Sequence, residues 1–252
     1  MTHGYFAETA PTASPLEVPA RVMTIGAHPD DAEFGAGGTL AGWTARGCEA
    51  LVLVVTDGSK GTWDHTLDPS DLTQIRREEQ HRAAAVLGVA DTVMLDYPDG
   101  ELEYTMALRA ELCLWIRRFR PDVVLTHDPW RRYMLHPDHR ATGWAAIDAV
   151  VAARDHLFFA DQLTDGLTEH RPDALLLWAA DEPDHWEDIT STFDQKVDAL
   201  LCHSSQGTTT MGDAHESADH RWEFSERLRR WAAQQGKAVG LATAESFKIL
   251  RP

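Results

Sequence analysis

Ala50-Leu51-Val52-Leu53-Val54-Val55 is the strongest strand signal in the chain, and it is apolar without a break. A strand with one wet face alternates apolar and polar residues. An unbroken run is what a parallel strand covered by helices on both faces requires. The run empties into Thr56-Asp57-Gly58-Ser59-Lys60-Gly61-Thr62, a polar, glycine-containing loop. Upstream, a second apolar run, Val22 to Ile25, leads through Gly26-Ala27-His28-Pro29-Asp30-Asp31 into a Gly/Ala-rich segment that reads as a helix from about Ala32 to Arg46, ending at Gly47. Downstream, Asp71 to Leu87 reads as a helix, Thr92 to Leu95 as a strand, Met106 to Phe119 as a helix stopped before Pro121, and Val123 to Thr126 as a fourth strand. Arg140 to Arg154 (helix), Ala174 to Trp178 (strand), Thr192 to Cys202 (helix), a polar loop over His203 to Asp219, a helix from Trp222 to Gln234 and Ala244 to Phe247 complete the chain. Strand–helix alternation of this kind predicts an α/β fold, a parallel, right-handed, doubly wound sheet in one domain over residues 21–252. Residues 1–20 read as a flexible N-terminal arm.

Composition narrows the function classes. A formal net charge of −17 over 252 residues disfavours nucleic acid and anionic membrane surfaces, since either needs a basic face to displace counterions. Three separated cysteines, Cys48, Cys113 and Cys202, give no disulfide framework and no CxxC metal site, which fits a reducing interior. Met1 to Pro19 lacks the basic start and apolar stretch of a signal peptide, and no segment is long enough to span a bilayer, so a cytoplasmic enzyme is expected. A homo-oligomer is compatible with all of this and is not specified by it.

The chemistry collects at one end of the strands. The first four strands are followed by His28, Asp30 and Asp31; by Asp57, Ser59 and Lys60; by Asp96 and Asp99; and by His127 and Asp128 leading to His136 and His139. In a parallel sheet these loops share one edge, where α/β proteins place their ligand crevice. His28 and Asp31 are three apart, and so are His136 and His139, spacings that let each pair face one point. Two histidines and a carboxylate with an open position suit a catalytic divalent metal; a structural zinc site would be closed by four protein ligands. His136 and His139 need not both ligate, because one of them, protonated, can stabilise negative charge instead. Asp30 sits between His28 and Asp31 as a general base should, although an aspartate here is also an ordinary helix cap. Asp99 can orient a histidine or merely begin the Pro-Asp-Gly turn. Arg76 and Arg77 point about 100° apart on a helix, so at most one of them meets the crevice. His65, His81, His127 and His203 read as structural or solvated. Trp63 and Trp130 can stack on a sugar face or pack as ordinary aromatics. Gly35-Ala36-Gly37-Gly38 lacks the GxGxxG spacing, and neither a Walker lysine nor a GxSxG elbow is present.

Ala27-His28-Pro29-Asp30-Asp31 and His136-Pro137-Asp138-His139, in this order, resemble the paired signatures of the zinc-dependent N-acetylglucosamine deacetylases of the PIG-L/LmbE type. The resemblance continues through Thr56-Asp57-Gly58, Ile75-Arg76-Arg77-Glu78-Glu79, Pro98-Asp99-Gly100, Pro121-Asp122-Val123-Val124, His203-Ser204-Ser205-Gln206 and Ala244-Glu245-Ser246-Phe247. With Ala32-Glu33 after the Asp pair, the motif order is closer to the bacillithiol-pathway members than to the mycothiol-pathway ones. It implies a Rossmann-like, LmbE-like three-layer sandwich with a mainly parallel sheet. It further implies His28, Asp31 and His139 as ligands of Zn2+ (His/Asp donors also accept Fe2+, Co2+ or Mn2+), Asp30 as general base and His136 as cationic stabiliser of the oxyanion. Arg76 would contact substrate, and Asp99 would stand near the catalytic histidine. Mycothiol-type members carry a tyrosine two residues before the first histidine of the second signature; here that position is Met134, beside Tyr133. The implied reaction is removal of an N-acetyl group from a small-molecule amino-sugar conjugate. An amidase acting on a larger thiol or antibiotic conjugate, and a non-catalytic sugar-binding protein on the same fold, are the alternatives.

Overall fold

A computed structural model describes residues 15–252. The expected N-terminal arm lies outside the described residues except for its last six, of which Leu16 and Val18 pack against the core. Among the described residues the sheet has seven strands: β1 (Arg21–Gly26), β2 (Glu49–Thr56), β3 (Asp91–Tyr97), β4 (Val123–His127), β5 (Ala174–Trp178), β6 (His185–Asp188) and β7 (Ala244–Leu250), in the order β3-β2-β1-β4-β5-β7-β6. The first five pair in parallel, as the unbroken apolar runs predict. At one edge β7 runs antiparallel to β5, and β6 antiparallel to β7, which departs from the expectation of a parallel sheet throughout. An antiparallel return needs no crossover helix, so nothing in the helix–strand alternation announces it.

Among the described residues, six α-helices accompany the sheet: α1 (Asp31–Thr44), α2 (Pro69–Val86), α3 (Met106–Phe119), α4 (Pro137–Ala153), α5 (Phe193–Leu200) and α6 (Ala218–Lys237). Alternate strand residues divide between two layers, because successive side chains leave a strand on opposite faces. Met23, Ile25, Leu51, Leu53 and Val124 join Leu108, Leu112 and Ile116 of α3 and Ala145, Ala149 and Val150 of α4. Val22, Val52, Val54 and Leu125 join Leu40 and Trp43 of α1, Ala83 of α2 and Ala199 of α5. A smaller cluster, including Phe193, Met211, Phe224 and Leu228, seats α6 and the segment before it on α5.

Local signals explain several boundaries. Asp68 caps α2 through the Ser70 amide and Pro69 takes its first turn, so the helix begins two residues before the expected Asp71. Thr105 caps α3 through the Leu108 amide. β3 runs on to Tyr97, placing Asp96 in an exposed ion pair with Arg77 rather than at the mouth of the crevice. Chain direction reverses about β1: the path moves outward through β2 and β3, then resumes on the other side with β4. The carboxyl ends of β1 and β4 therefore bound the switch-point crevice, and the two histidine signatures follow those two strands. No helix among the described residues is long and apolar enough to cross a membrane.

Candidate active site

The turn between β1 and α1 carries the most constrained backbone of the site. Asp30 occupies the N-cap of α1 at φ 103°, ψ −19°, and its side chain caps no amide among the described residues. A non-glycine residue held there costs on the order of 1–3 kcal/mol, which the surroundings must over-determine. An N-cap reading therefore does not account for Asp30. Asp31, the first helical residue, turns the other way. Its Oδ2 accepts the amides of Ala27 and His28, each at 2.8 Å, and faces His127 Nε2 at 3.0 Å. Its Oδ1 lies 3.4 Å from His139 Nε2.

Three donors converge on one point. His28 Nδ1 is 3.2 Å from His139 Nε2 and 3.6 Å from Asp31 Oδ2. A cation bound tetrahedrally at zinc–nitrogen and zinc–oxygen distances separates its donors by about 3.3–3.4 Å, and each of these three contacts is near that value, with the two to Asp31 running to different oxygens of its carboxylate. Neighbouring groups fix which ring nitrogen is free. His28 Nε2 faces Asp99 Oδ1 and Asp138 Oδ2, both at 3.2 Å, leaving Nδ1 for the triangle. The Trp178 indole N–H can only donate, and it donates to His127 Nδ1 at 3.0 Å; His127 therefore carries its hydrogen on Nε2 and gives it to Asp31.

The electrostatics follow from this crowding. Burial pushes His28 down, but its hydrogen bonds to Asp138, Asp31 and Asp99 outweigh that and hold it well above the ordinary histidine value. Three carboxylates thus draw positive charge to this spot, as a cation site should. Burial, with the neighbouring histidines, takes His139 down to about 3, keeping the imidazole neutral as ligation needs. Asp31 is held well below the carboxylate range: burial opposes this, and His139 and His127 overcome it. Asp30 goes the other way, raised to about 6 by burial against the pull of Arg76.

The remaining expected residues fall around the same cavity of about 900 Å³, which His28, Asp30, Asp31, Arg76, Asp99, His136 and His139 all line. His136 is the N-cap of α4; its Nδ1 accepts the Asp138 amide at 3.3 Å, so a neutral ring presents Nε2–H. Burial and His28 lower its pKa, so the ring can donate there without being cationic. Arg76 is buried and gives its guanidinium to the carbonyls of Pro29 (2.6 Å) and Gly58 (3.1 Å), 3.7 Å from Asp30 Oδ2. Asp99 accepts the Lys60 amide as well as facing His28, and its carboxyl sits at about 2: burial opposes this, and His28 outweighs it. Trp63 and the exposed Tyr133 stand at the rim of the cavity, whereas Trp130 packs edge-on against Trp144. His65 and His81 are exposed, as expected.

Several participants carry no distinguishing sequence signal. His127 reads from sequence as structural or solvated, yet it is buried and orients Asp31. Asp138 lies inside the second signature; it is wholly buried and binds the Gly100 and Leu102 amides besides facing His28. Gln80 and Glu33 hold the turn from behind. Position is the one clue to the first two: His127 ends an apolar strand, and Asp138 lies between two functional histidines.

The fold and site define an α/β protein with a three-donor pocket suited to a cation and faced by a second carboxylate, Asp30, whose pKa burial raises. Residues 23–150 match the model of the PIG-L family, described as GlcNAc-PI de-N-acetylase, and the chain belongs to that family. It is 36% identical to a diacetylchitobiose deacetylase of Thermococcus kodakarensis, across 91% of this chain and 83% of that one. A probable N-acetyl-alpha-D-glucosaminyl L-malate deacetylase 2 of Bacillus cereus is 28% identical across 77% and 87%; deacetylases of inositol glycosides match alongside it. The structure superimposes on the N,N'-diacetylchitobiose deacetylase of Pyrococcus horikoshii with a TM-score of 0.84 at 33% identity, covering 92% of this chain and 84% of that one.

Proposed function

We propose that the chain is a metal-dependent N-deacetylase that hydrolyses the acetamide of a GlcNAc-type conjugate to acetate and a free amine. The observation that carries this reading is the juxtaposition of the His28–Asp31–His139 donor triangle with Asp30, a buried carboxylate beside the triangle that takes no part in it. A binding site alone has no use for such a group. The relatives named above are deacetylases of N-acetylglucosamine compounds, which supports the substrate class. A cavity of about 900 Å³ is several times what one sugar ring needs, in keeping with a glycoside rather than the free sugar.

His28 Nδ1, the Asp31 carboxylate and His139 Nε2 would hold the cation. Zinc there supplies Lewis-acid activation of the amide carbonyl and of water. Asp30 takes the proton of the attacking water; ionised at neutral pH yet more basic than an exposed aspartate, it suits that task. Protonated in consequence, it returns the proton to the departing nitrogen as the C–N bond breaks. His136 directs Nε2–H toward the oxyanion. Asp99 offers its remaining lone pairs, and Arg76 its remaining N–H groups, to sugar hydroxyls at the cavity floor. His127 and Asp138 keep the ligands in place through Asp31 and His28.

The test is acetate release from a panel of N-acetylglucosaminides by metal-stripped protein with and without added zinc. Zinc-dependent acetate from any member supports the proposal. No acetate from the whole panel, with stoichiometric metal bound, overturns it, and release of a larger acyl group instead would assign the site to an amidase.

A further inference from the structure

The Pro29–Asp30 peptide unit is held at both of its hydrogen-bonding atoms from one helix. Arg76 donates to the Pro29 carbonyl at 2.6 Å, and the Asp30 amide donates to Gln80 Oε1 at 3.1 Å. Arg76 and Gln80 are four apart on α2, so they lie on the same face one turn from each other. This peptide unit immediately precedes the φ 103° of Asp30, and its flip is the simplest way for the turn to escape that conformation. Gln80 is itself held. Its Nε2 donates to Glu33 Oε1 at 2.7 Å, and Glu33 Oε2 stands 3.6 Å from His203 Nε2. Gln80, Glu33 and His203 are all fully buried.

The chemistry of the chain of contacts makes glutamine specific at position 80. A backbone N–H can only donate and an ionised carboxylate can only accept, so the residue between them must accept at one end and donate at the other. Glutamine does both. A glutamate there would set two buried carboxyl groups against each other, and methionine would give neither bond.

Taking Asp30 as the general base, as in the function proposed above, we infer that Gln80 is a positioning residue for that base. It locks the strained peptide that aims the Asp30 carboxylate at the cavity, and Glu33, backed by His203, fixes the orientation of its amide. Neither Gln80 nor Glu33 touches the three donors of the cation triangle, so the effect is separable from metal binding.

Three variants of the full chain test this, with zinc content, kcat and KM measured on each sample. Gln80→Met keeps the length of the side chain and removes both hydrogen bonds. It is expected to bind one zinc and to keep KM within about twofold, while kcat falls about 10- to 100-fold, the scale on which misplacing a reacting group is felt. The paired change Gln80→Glu with Glu33→Gln rebuilds the chain of contacts with donor and acceptor exchanged. One oxygen of the new carboxylate at position 80 accepts from the Asp30 amide, and the other accepts from the new side-chain amide at position 33. This pair is expected to recover most of the lost kcat. Wild-type kcat in Gln80→Met overturns the inference. So does loss of zinc or of folded protein in Gln80→Met that the paired change fails to restore, since Gln80 would then be structural only. Asp30→Asn separates this from the base assignment. If that variant is inactive while Gln80→Met is fully active, only the positioning role is wrong; if Asp30→Asn is active, the base assignment itself has failed.

Discussion

Replacing Gly35 by alanine should weaken metal binding without touching any donor. A Cβ at Gly35 would stand 2.5 Å from Trp178 Cδ2, 2.7 Å from Cγ and 3.0 Å from Cε2. Carbon atoms pack comfortably at about 3.5–4.0 Å, so the indole has to withdraw by about 1 Å. Trp178 is 4% exposed and ends β5, so it has little room to do so. Its Nε1–H reaches His127 Nδ1 at 3.0 Å; withdrawal stretches this to about 4 Å, beyond a hydrogen bond. His127 then loses the donor that sets its tautomer, and Asp31 Oδ2 loses an assured partner. Overpacking of this kind costs about 1–3 kcal/mol of stability. Losing the support behind a metal ligand costs about 10- to 100-fold in affinity, or about 1.4–2.8 kcal/mol. Zinc affinity is read by competition with a chromophoric chelator, and stability by urea unfolding. Trp178→Phe is the companion variant: it removes the N–H while keeping most of the ring, and should lose zinc affinity without the overpacking. Zinc affinities within about twofold of wild type in both variants would refute the orientation of Asp31 through His127 and Trp178.

Two further perturbations probe other parts of the molecule. The base must be ionised to act, so kcat/KM should be lost as pH falls through the pKa of Asp30, which burial raises to about 6. A bound cation favours the ionised form, so the acid-limb midpoint should lie at or below that value, and a midpoint above about 7 would contradict the assignment. Glu245, 1% exposed, accepts from the Gly38 and Thr39 amides and the Thr39 hydroxyl, and pairs with buried Lys196 at 2.5 Å. Glu245→Ala strands that ammonium and should cost about 3–5 kcal/mol in urea unfolding, and a loss under about 1 kcal/mol would contradict it.

The frame of this molecule is legible in the sequence because its signals are local. Ala50 to Val55 is apolar throughout and lies in a central parallel strand; the turn residues that follow β1 and β4 lie at one crevice. The antiparallel edge is not legible, since His185-Trp186-Glu187-Asp188 is short and polar at three of its four positions, and its burial comes from β7 and from residues far off in the chain. At the site, the pairs His28/Asp31 and His136/His139 are legible by spacing, whereas the choice of His139 over His136 as ligand comes only from the family resemblance. Asp138 is not legible, because between two histidines on a helix it reads as filler until its contact with the Gly100 amide is seen. Asp96 misleads in the opposite sense: its place beside Asp99 suggests the crevice, but strand alternation turns it outward to Arg77. The φ of Asp30 has no sequence signal at all, because the groups that enforce it, Arg76 and Gln80, are about fifty residues away and act on its backbone.

The proposed reaction depends on Asp30 acting as a base beside a cation it does not ligate. Asp30→Asn, assayed for zinc by metal analysis and for acetate release from an N-acetylglucosaminide on the same sample, tests this most directly. One zinc per chain with turnover reduced by about 100-fold or more is the predicted result. One zinc per chain with turnover near wild type would contradict it.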